Sequence, residues 1–378
     1  MKKLLFIIED LKFGGVEASL VNLLNCIDFD AHDYSITLLM WGKHYDMLDG
    51  LKKDKHIKVK ILNTKTLDFV FNIIAKFIGE SKSELRKNQI VRWFLLKKVK
   101  HEAADVIIRY HHAAMKSLFS YLKGHSKNIM WYHISKYGYY LDEKYTSNCD
   151  KIVVVNDDCR EIMSQADPGL SNKLTVIENL VPYEEINLKA DIQEKLFDES
   201  LFNIVSCARI SPEKGIDIAV DACKILAEKA MDFKWYLIGD AMEETVEYAE
   251  NIKAMIKENG LKANFILLGS KKNPYPYFKQ CDLYVQPSRE ESWGLTIAET
   301  KVCGTAVLST DTVGGRRWIE NGYNGYIADI SPEALADKIY ELYNNRDKIA
   351  QVQRNVKNID FDDKNRRIME SFYSIIEN

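Results

Sequence analysis

Short apolar runs alternate with amphipathic stretches along the chain. Residues 4–8, 105–108, 128–132, 174–177, 283–285 and a run opening at Phe202 each read as a buried strand. Between them, Leu20, Leu23, Leu24 and Ile27 recur at helical spacing, residues 216–230 carry the same period, and Ile368, Phe372 and Ile375 share one face of a last helix over 363–376. Strands alternating with helices predict α/β architecture in both halves. At 378 residues the chain exceeds one ordinary core, so two domains are expected. The charged, proline-containing stretch 179–198 places the boundary near residue 180. No tandem repeat or low-complexity tract is present.

Chemistry concentrates in residues 284–299, YVQPSREESWGLTIAE, where Glu291 and Glu299 sit as a strand gives way through a polar loop to a helix over 295–303. Ligands in open α/β sheets bind at such ends. Eight steps at the helical rise amount to roughly 12 Å, too far for the carboxyl pair of a retaining glycosidase, which stands about 5 Å apart. Two such acids suit different parts of one extended ligand, with one acid on each of two sets of vicinal hydroxyls. Two glutamates at this spacing also suit a solvated surface, and the pair alone leaves both readings open.

Upstream, FNIVSCARISPEKG (202–215) is a strand running into a loop with Arg209 and Lys214, followed by a helix. Fixed cations near a helix N-terminus stabilise the charge that develops on a departing diphosphate. Arginine grips a phosphate through two N–H groups and lysine adds a point charge. Near the start, Gly14 and Gly15 follow the first strand, where glycines let backbone approach a ligand. The strand at 105–108 ends in Arg109, Tyr110, His111 and His112, and the strand at 128–132 ends in His133. All eight histidines precede residue 134, yet no HExxH and no bracketing cysteine pair occurs, so a zinc site is not expected. Without GxGxxG after the first strand or a P-loop lysine, a nicotinamide dehydrogenase and a P-loop enzyme are not expected either.

The C-terminal half resembles the retaining glycosyltransferases of family four, which have the GT-B fold. The resemblance rests on Arg209 and Lys214 in ARISPEKG, Gly239 and Asp240 in WYLIGD, Gly269 in FILLGS, and PSREESWGLTIAE, in that order; it continues through AVLSTDTVGG and ENGYNGYI over residues 200–330. It implies two Rossmann-like α/β domains facing across a cleft: residues 1–180 for the acceptor, 181–357 for the nucleotide sugar, and a C-terminal helix in 358–378 packing back on the first domain. It implies that Arg209 and Lys214 hold the donor diphosphate, Glu291 the transferred sugar and Glu299 the ribose. The motif loop adds Trp293, Gly294 and Leu295, the loop after a strand adds Gly269, and Gly14 and Gly15 face the donor. His133 matches the family's histidine after the corresponding strand and joins Arg209, Lys214 and Glu291 as a catalytic candidate.

Transfer with retention follows from the resemblance, from a UDP-sugar first and a GDP-sugar second, to a hydroxyl of a glycan or polyprenyl-linked acceptor in bacterial surface polysaccharide synthesis. No cofactor and no metal is expected. Two departures touch this picture: Ser292 and Trp293 follow Glu291 where relatives have glycine, and Arg316, Arg317 and Trp318 follow the late glycine pair where relatives have glutamate. Trp293 either stacks on a sugar face or fills the core beneath the loop. Two rival readings are a non-catalytic GT-B partner of another glycosyltransferase and a GT-B sugar-nucleotide epimerase; the first would be expected to lose the cations or acids that this chain keeps.

Charge is divided unevenly: residues 1–180 carry 27 Lys plus Arg against 22 Asp plus Glu, while 181–378 carry 25 against 33. The excess of cations in the first half gathers in 82–100, where seven lysines and arginines face one acid, Glu84, with Trp93, Phe94, Leu95 and Leu96 interleaved. With the apolar stretch 67–79, this reads either as a peripheral contact with an anionic membrane or as ordinary helices of the first domain. A net charge of −3 and no recognised module argue against nucleic acid. Seven scattered cysteines suggest reduced thiols in the cytoplasm, at the inner face of the membrane if 67–100 docks there. Glu9 and Asp10 end the first apolar run too early for a signal peptide, and no window approaches a membrane span.

Overall fold

A computed structural model describes residues 1–12, 14–42, 44–62, 97, 99, 102–110, 126–133, 146 and 148–378. His111, His112 and residues 67–96 of the basic, apolar segment lie outside the described residues. The chain divides into two compact units, one of residues Met1–Leu180 with Asn365–Asn378 and one of Val181–Lys364.

Among the described residues, the first unit is built on seven parallel strands, β1 (Lys2–Ile7), β2 (Tyr34–Met40), β3 (Ile57–Ile61), β4 (Val106–Arg109), β5 (Lys127–Tyr132), β6 (Lys151–Val154) and β7 (Leu174–Val176), in the order β3-β2-β1-β4-β5-β6-β7. The central strands are apolar on both faces, as parallel strands covered on both sides require; Leu4, Leu5, Phe6 and Ile7 of β1 are all buried. Helices α1 (Gly15–Asn25) and α2 (Asp157–Ala166) follow β1 and β6.

The second unit carries six parallel strands, β8 (Phe202–Cys207), β9 (Phe233–Ile238), β10 (Phe265–Gly269), β11 (Leu283–Gln286), β12 (Val307–Thr310) and β13 (Tyr326–Ala328), in the order β10-β9-β8-β11-β12-β13. Its helices are α3 (Tyr183–Ala190), α4 (Ile216–Glu228), α5 (Val246–Glu258), α6 (Tyr275–Gln280), α7 (Leu295–Val302), α8 (Val313–Trp318), α9 (Pro332–Asn344) and α10 (Arg346–Val356). Ile204, Val285 and Leu308 from the sheet meet Ala219, Cys223, Leu335 and Ile339 from the helices in one continuous core. The stretch 179–198, read from sequence as the domain boundary, contains α3, whose Ile186 and Ala190 are buried.

The last helix, α11 (Phe361–Glu377), straddles the division. Its first turn belongs to the second unit, where Phe361 stacks on Trp318 and Lys364 lies 5.6 Å over the same ring. The rest belongs to the first unit, where Ile368, Phe372 and Ile375 are buried. Lys2 Nζ and Lys127 Nζ donate to the carbonyls of Ile376 and Ile375 at 2.8 and 2.7 Å, so cations satisfy the negative end of the helix.

Candidate functional site

In the second sheet the winding reverses between β8 and β11. At such a switch point the loops leaving the carboxyl ends of neighbouring strands part and leave a crevice for a ligand. Both sequence motifs leave here, 208–215 after β8 and 287–294 after β11, and the structure brings them together. Arg289 N and Glu290 N donate to Glu213 O at 2.9 and 3.2 Å. The Arg289 guanidinium reaches Asp217 through two parallel bonds of 2.7 and 2.6 Å and also donates to Pro212 O at 2.9 Å. Two-pronged pairing fixes orientation as well as distance, and Tyr248 O–H completes it by donating to Asp217 at 2.7 Å.

Gly215 makes this approach feasible. Its φ is +64°, and a Cβ there would stand 2.1 Å from Pro287 O, so both the left-handed backbone and the packing require glycine. The turn delivers Lys214 to Glu291, with Nζ 2.7 Å from Oε2 and both side chains more than four-fifths buried. Arg209, half-exposed, donates to Met242 Sδ at 3.0 Å and to Glu213 Oε1 at 3.4 Å. Burial acts to raise the Glu213 carboxyl, but the Ser211 hydroxyl at 2.6 Å, with Arg209 and Lys214, outweighs it and holds the group below the ordinary glutamate range.

The Glu291 loop is held from its other side by α8. Gly314 N donates to Glu291 O at 2.7 Å, and a Cβ at Gly314 would lie 2.7 Å from Glu291 Cγ. Gly294, at φ +76°, turns the chain into α7. Gly294, the residue that caps this helix, has no side chain to do so, and a helix N-terminus turns its first amides toward an anion. Trp293 is 3% exposed and packs edge to face on Trp318 with ring centroids 5.0 Å apart. Of the two readings of this ring, the structure shows it filling the core beneath the loop.

Glu299 sits on α7. It is buried, and burial pushes its carboxyl up to about 8, opposed by the Tyr275 hydroxyl, which donates at 3.4 Å. Cys207 at the end of β8 and Cys303 lie close enough to feel its charge. Gly269, at φ +67°, closes β10 beside the loop whose Ser270 N donates to Asp240 at 2.8 Å.

In the first unit, the sheet order sets β1, β4 and β5 side by side, with its own switch point between β1 and β4. Gly14 precedes α1 in extended conformation, and a Cβ there would meet Glu17 Oε2 at 2.4 Å, whereas Gly15 has open space. Arg109 is buried within β4, where it donates to Met130 Sδ at 2.6 Å. Tyr110 is also buried, its hydroxyl 3.2 Å from that of Ser19. Its ring centroid lies 4.9 Å from His133, a residue 8% exposed at the end of β5.

Sequence reasoning passed over Glu213, Asp217, Arg289, Tyr275 and Gly314. Arg289 and Glu213 lie inside the quoted motifs, but their role is to tie one loop to another, and nothing in a linear pattern shows that pairing. Tyr275 sits beside the 270–274 loop, 24 residues before the glutamate it bonds.

Residues 189–359, nearly all of the second unit, match the family described as glycosyl transferases group 1. An uncharacterized glycosyltransferase of Methanocaldococcus jannaschii is 32% identical over 213 residues, 56% of this chain and 54% of the relative. The capsular polysaccharide biosynthesis glycosyltransferase CapM of Staphylococcus aureus is 24% identical over 214 residues, 54% and 55% of the two chains. The matches thus span about half the length of these curated relatives. Among solved structures, Anabaena HepE in complex with UDP and glucose superposes with a TM-score of 0.74 at 18% identity, covering 99% of this chain and 100% of that one. The fold is GT-B.

Proposed function

We propose that this chain, whose residues 189–359 match glycosyl transferases group 1, is a glycosyltransferase that moves a sugar from a nucleoside diphosphate to a hydroxyl with retention at the anomeric carbon. The observation that carries the reading is the ion pair of Lys214 with Glu291 at the switch point of the second sheet, with Arg209 on the same loop as Lys214 and the buried Glu299 on the helix that follows Glu291. Cations beside a helix N-terminus suit a diphosphate; two acids in separate places suit the hydroxyls of two sugars.

In the proposed reaction the bond from the anomeric carbon to the diphosphate oxygen breaks as a bond to the acceptor oxygen forms on the same face. The acceptor proton passes to the departing phosphate oxygen. Arg209 and Lys214 take up the charge that develops on the leaving group, which is why no metal is invoked. Glu291 orients the transferred sugar, Glu299 the ribose, and His133 lies toward the acceptor. UDP is the favoured carrier, supported by the similar Anabaena HepE structure in complex with UDP and glucose, and GDP the second. The acceptor is a glycan or a polyprenyl-linked glycan of a bacterial surface polysaccharide, with CapM supporting that class. A lipid-linked acceptor gives the basic segment 82–100 a role at an anionic, cytoplasmic membrane face. Among the described residues no helix is long and apolar enough to cross a membrane.

The test is thermal stability of the wild type and of Glu299→Ala with UDP, GDP and ADP, each with and without a chelator, since a ligand raises stability by mass action. One nucleotide should stabilise the wild type with chelator present and lose its effect in the variant. Indifference of the wild type to all three would overturn the reading.

A further inference from the structure

Lys301 is buried inside α7, with 1% of its surface exposed. Its ammonium donates to Trp318 O at 2.6 Å, to Asn324 O at 2.8 Å and to Asn324 Oδ1 at 2.8 Å. All three acceptors are neutral. Desolvating an ammonium is costly, and a methionine of similar length would fill the space without that cost, so simple stability does not account for the residue. Burial, reinforced by Lys364, pushes the ammonium down to about 7.

The contacts have a direction. Lys301 holds the carboxyl end of α8 through Trp318 O. The indole N–H of that same tryptophan donates to Trp293 O at 2.9 Å. The amino end of α8 holds Glu291 O through Gly314 N at 2.7 Å. The short helix is therefore clamped at one end by Lys301 and at the other by the loop carrying Glu291, with the two tryptophan rings locked edge to face between them. Asn324 extends the clamp, since its Oδ1 also accepts from Glu320 N at 3.0 Å.

We propose that Lys301 is a positioning residue that acts through Trp318 to set the Glu291 loop, and with it the pocket for the transferred sugar. The pocket's identity rests on the glycosyltransferase reading; the mechanical link does not. A buried ammonium with three acceptors has one orientation, whereas an apolar side chain in its place leaves α8 free to rotate about its contacts. The effect falls more on the sugar than on the nucleotide, because the clamp grips Glu291 O directly and reaches the Arg209 loop only through the Lys214–Glu291 pair and the bonds to Glu213.

The experiment compares the wild type with Lys301→Met and with Trp318→Phe, a milder change that removes the indole N–H and keeps a ring. Hydrogen exchange followed by mass spectrometry should show amides of residues 287–296 exchanging about tenfold faster in both variants, with α4 unchanged. Kd is then measured for UDP against UDP-glucose and for GDP against GDP-mannose. The sugar conjugate of the diphosphate that binds the wild type should weaken about tenfold and the diphosphate itself clearly less, by a few-fold, and the double variant should be no worse than either single one. Unchanged exchange over 287–296, or a rise shared equally by α4, overturns the link. Equal weakening of diphosphate and conjugate assigns Lys301 a structural role alone and overturns the proposal. A wild type that binds neither pair defeats the glycosyltransferase reading, and the exchange result still decides whether Lys301 sets the loop.

Discussion

Lys214 and Glu291, 77 residues apart in sequence, form an ion pair of 2.7 Å between the two loops of one switch point. The cation assigned to the leaving group and the acid assigned to the sugar thus hold each other in place. Removing either leaves its partner partly buried and unpaired, so each substitution acts on both halves of the donor.

Lys214→Ala is expected to lower turnover by about a hundredfold or more, the scale of removing one preorganised charge from a developing anion. Glu291→Gln keeps the shape and should lower turnover while leaving nucleotide affinity within a few-fold. Steady-state transfer rates beside calorimetric Kd values check both. Near-normal turnover of Lys214→Ala would count heavily against the proposed role.

Glu299 makes stability depend on pH. Its carboxyl titrates at about 8 in the folded chain because of burial, against the ordinary 4.5. Between these values the unfolded chain has lost the proton and the folded chain keeps it, so this group's contribution to stability falls as pH rises, by at most about 1.4 kcal/mol per unit. Below the window both states are protonated, and above it both are ionised. Glu299→Gln should therefore gain on the wild type as pH climbs from about 5 to about 8, read from urea midpoints at each pH. Nucleotide binding through the ionised carboxylate should release a proton near pH 7, measured calorimetrically in buffers of different ionisation enthalpy.

Gly215→Ala forces a side chain into left-handed backbone and onto Pro287 O at 2.1 Å. A loss of about 3 kcal/mol or more is expected. Gly322, at φ +81° with nothing within 4 Å, supplies the comparison: Gly322→Ala meets the conformational cost alone, about 1–2 kcal/mol. Chemical denaturation of the two variants separates the clash from the backbone term.

Phe372 is fully buried in the first unit and lies 6.4 Å from the Trp131 ring. Phe372→Ala should cost about 3–5 kcal/mol, and calorimetry should show the loss in the transition of that unit.

Much of this was legible in the sequence where local pattern and tertiary role coincide. The apolar runs of β1, β8 and β11 are buried on both faces, so their signal is continuous and their place in a parallel sheet follows. Arg209, Lys214, Glu291 and Glu299 were legible through their ordered spacing after β8 and β11, whereas Glu213 and Arg289 on the same loops were not, because what they bind lies across the two loops. Trp293 was ambiguous because an indole suits a sugar face and a core equally well, and its partner Trp318 lies 25 residues away. α3 was hidden by Pro182 and the charges around it, although a proline ahead of a helix is well tolerated. Lys301 gave no signal at all: a lysine in a short helix reads as solvent-facing until the loop that wraps it is known.

The return of α11 sets an order on synthesis. The first unit takes in residues 365–378, with Phe372 in its core and hydrogen bonds from Lys2 and Lys127 to the helix end. Those residues leave the ribosome after every residue of the second unit. Domains usually fold in the order in which they emerge, but here the half that is made first cannot close until the half made second is already complete, and its exposed sheet has to wait in between.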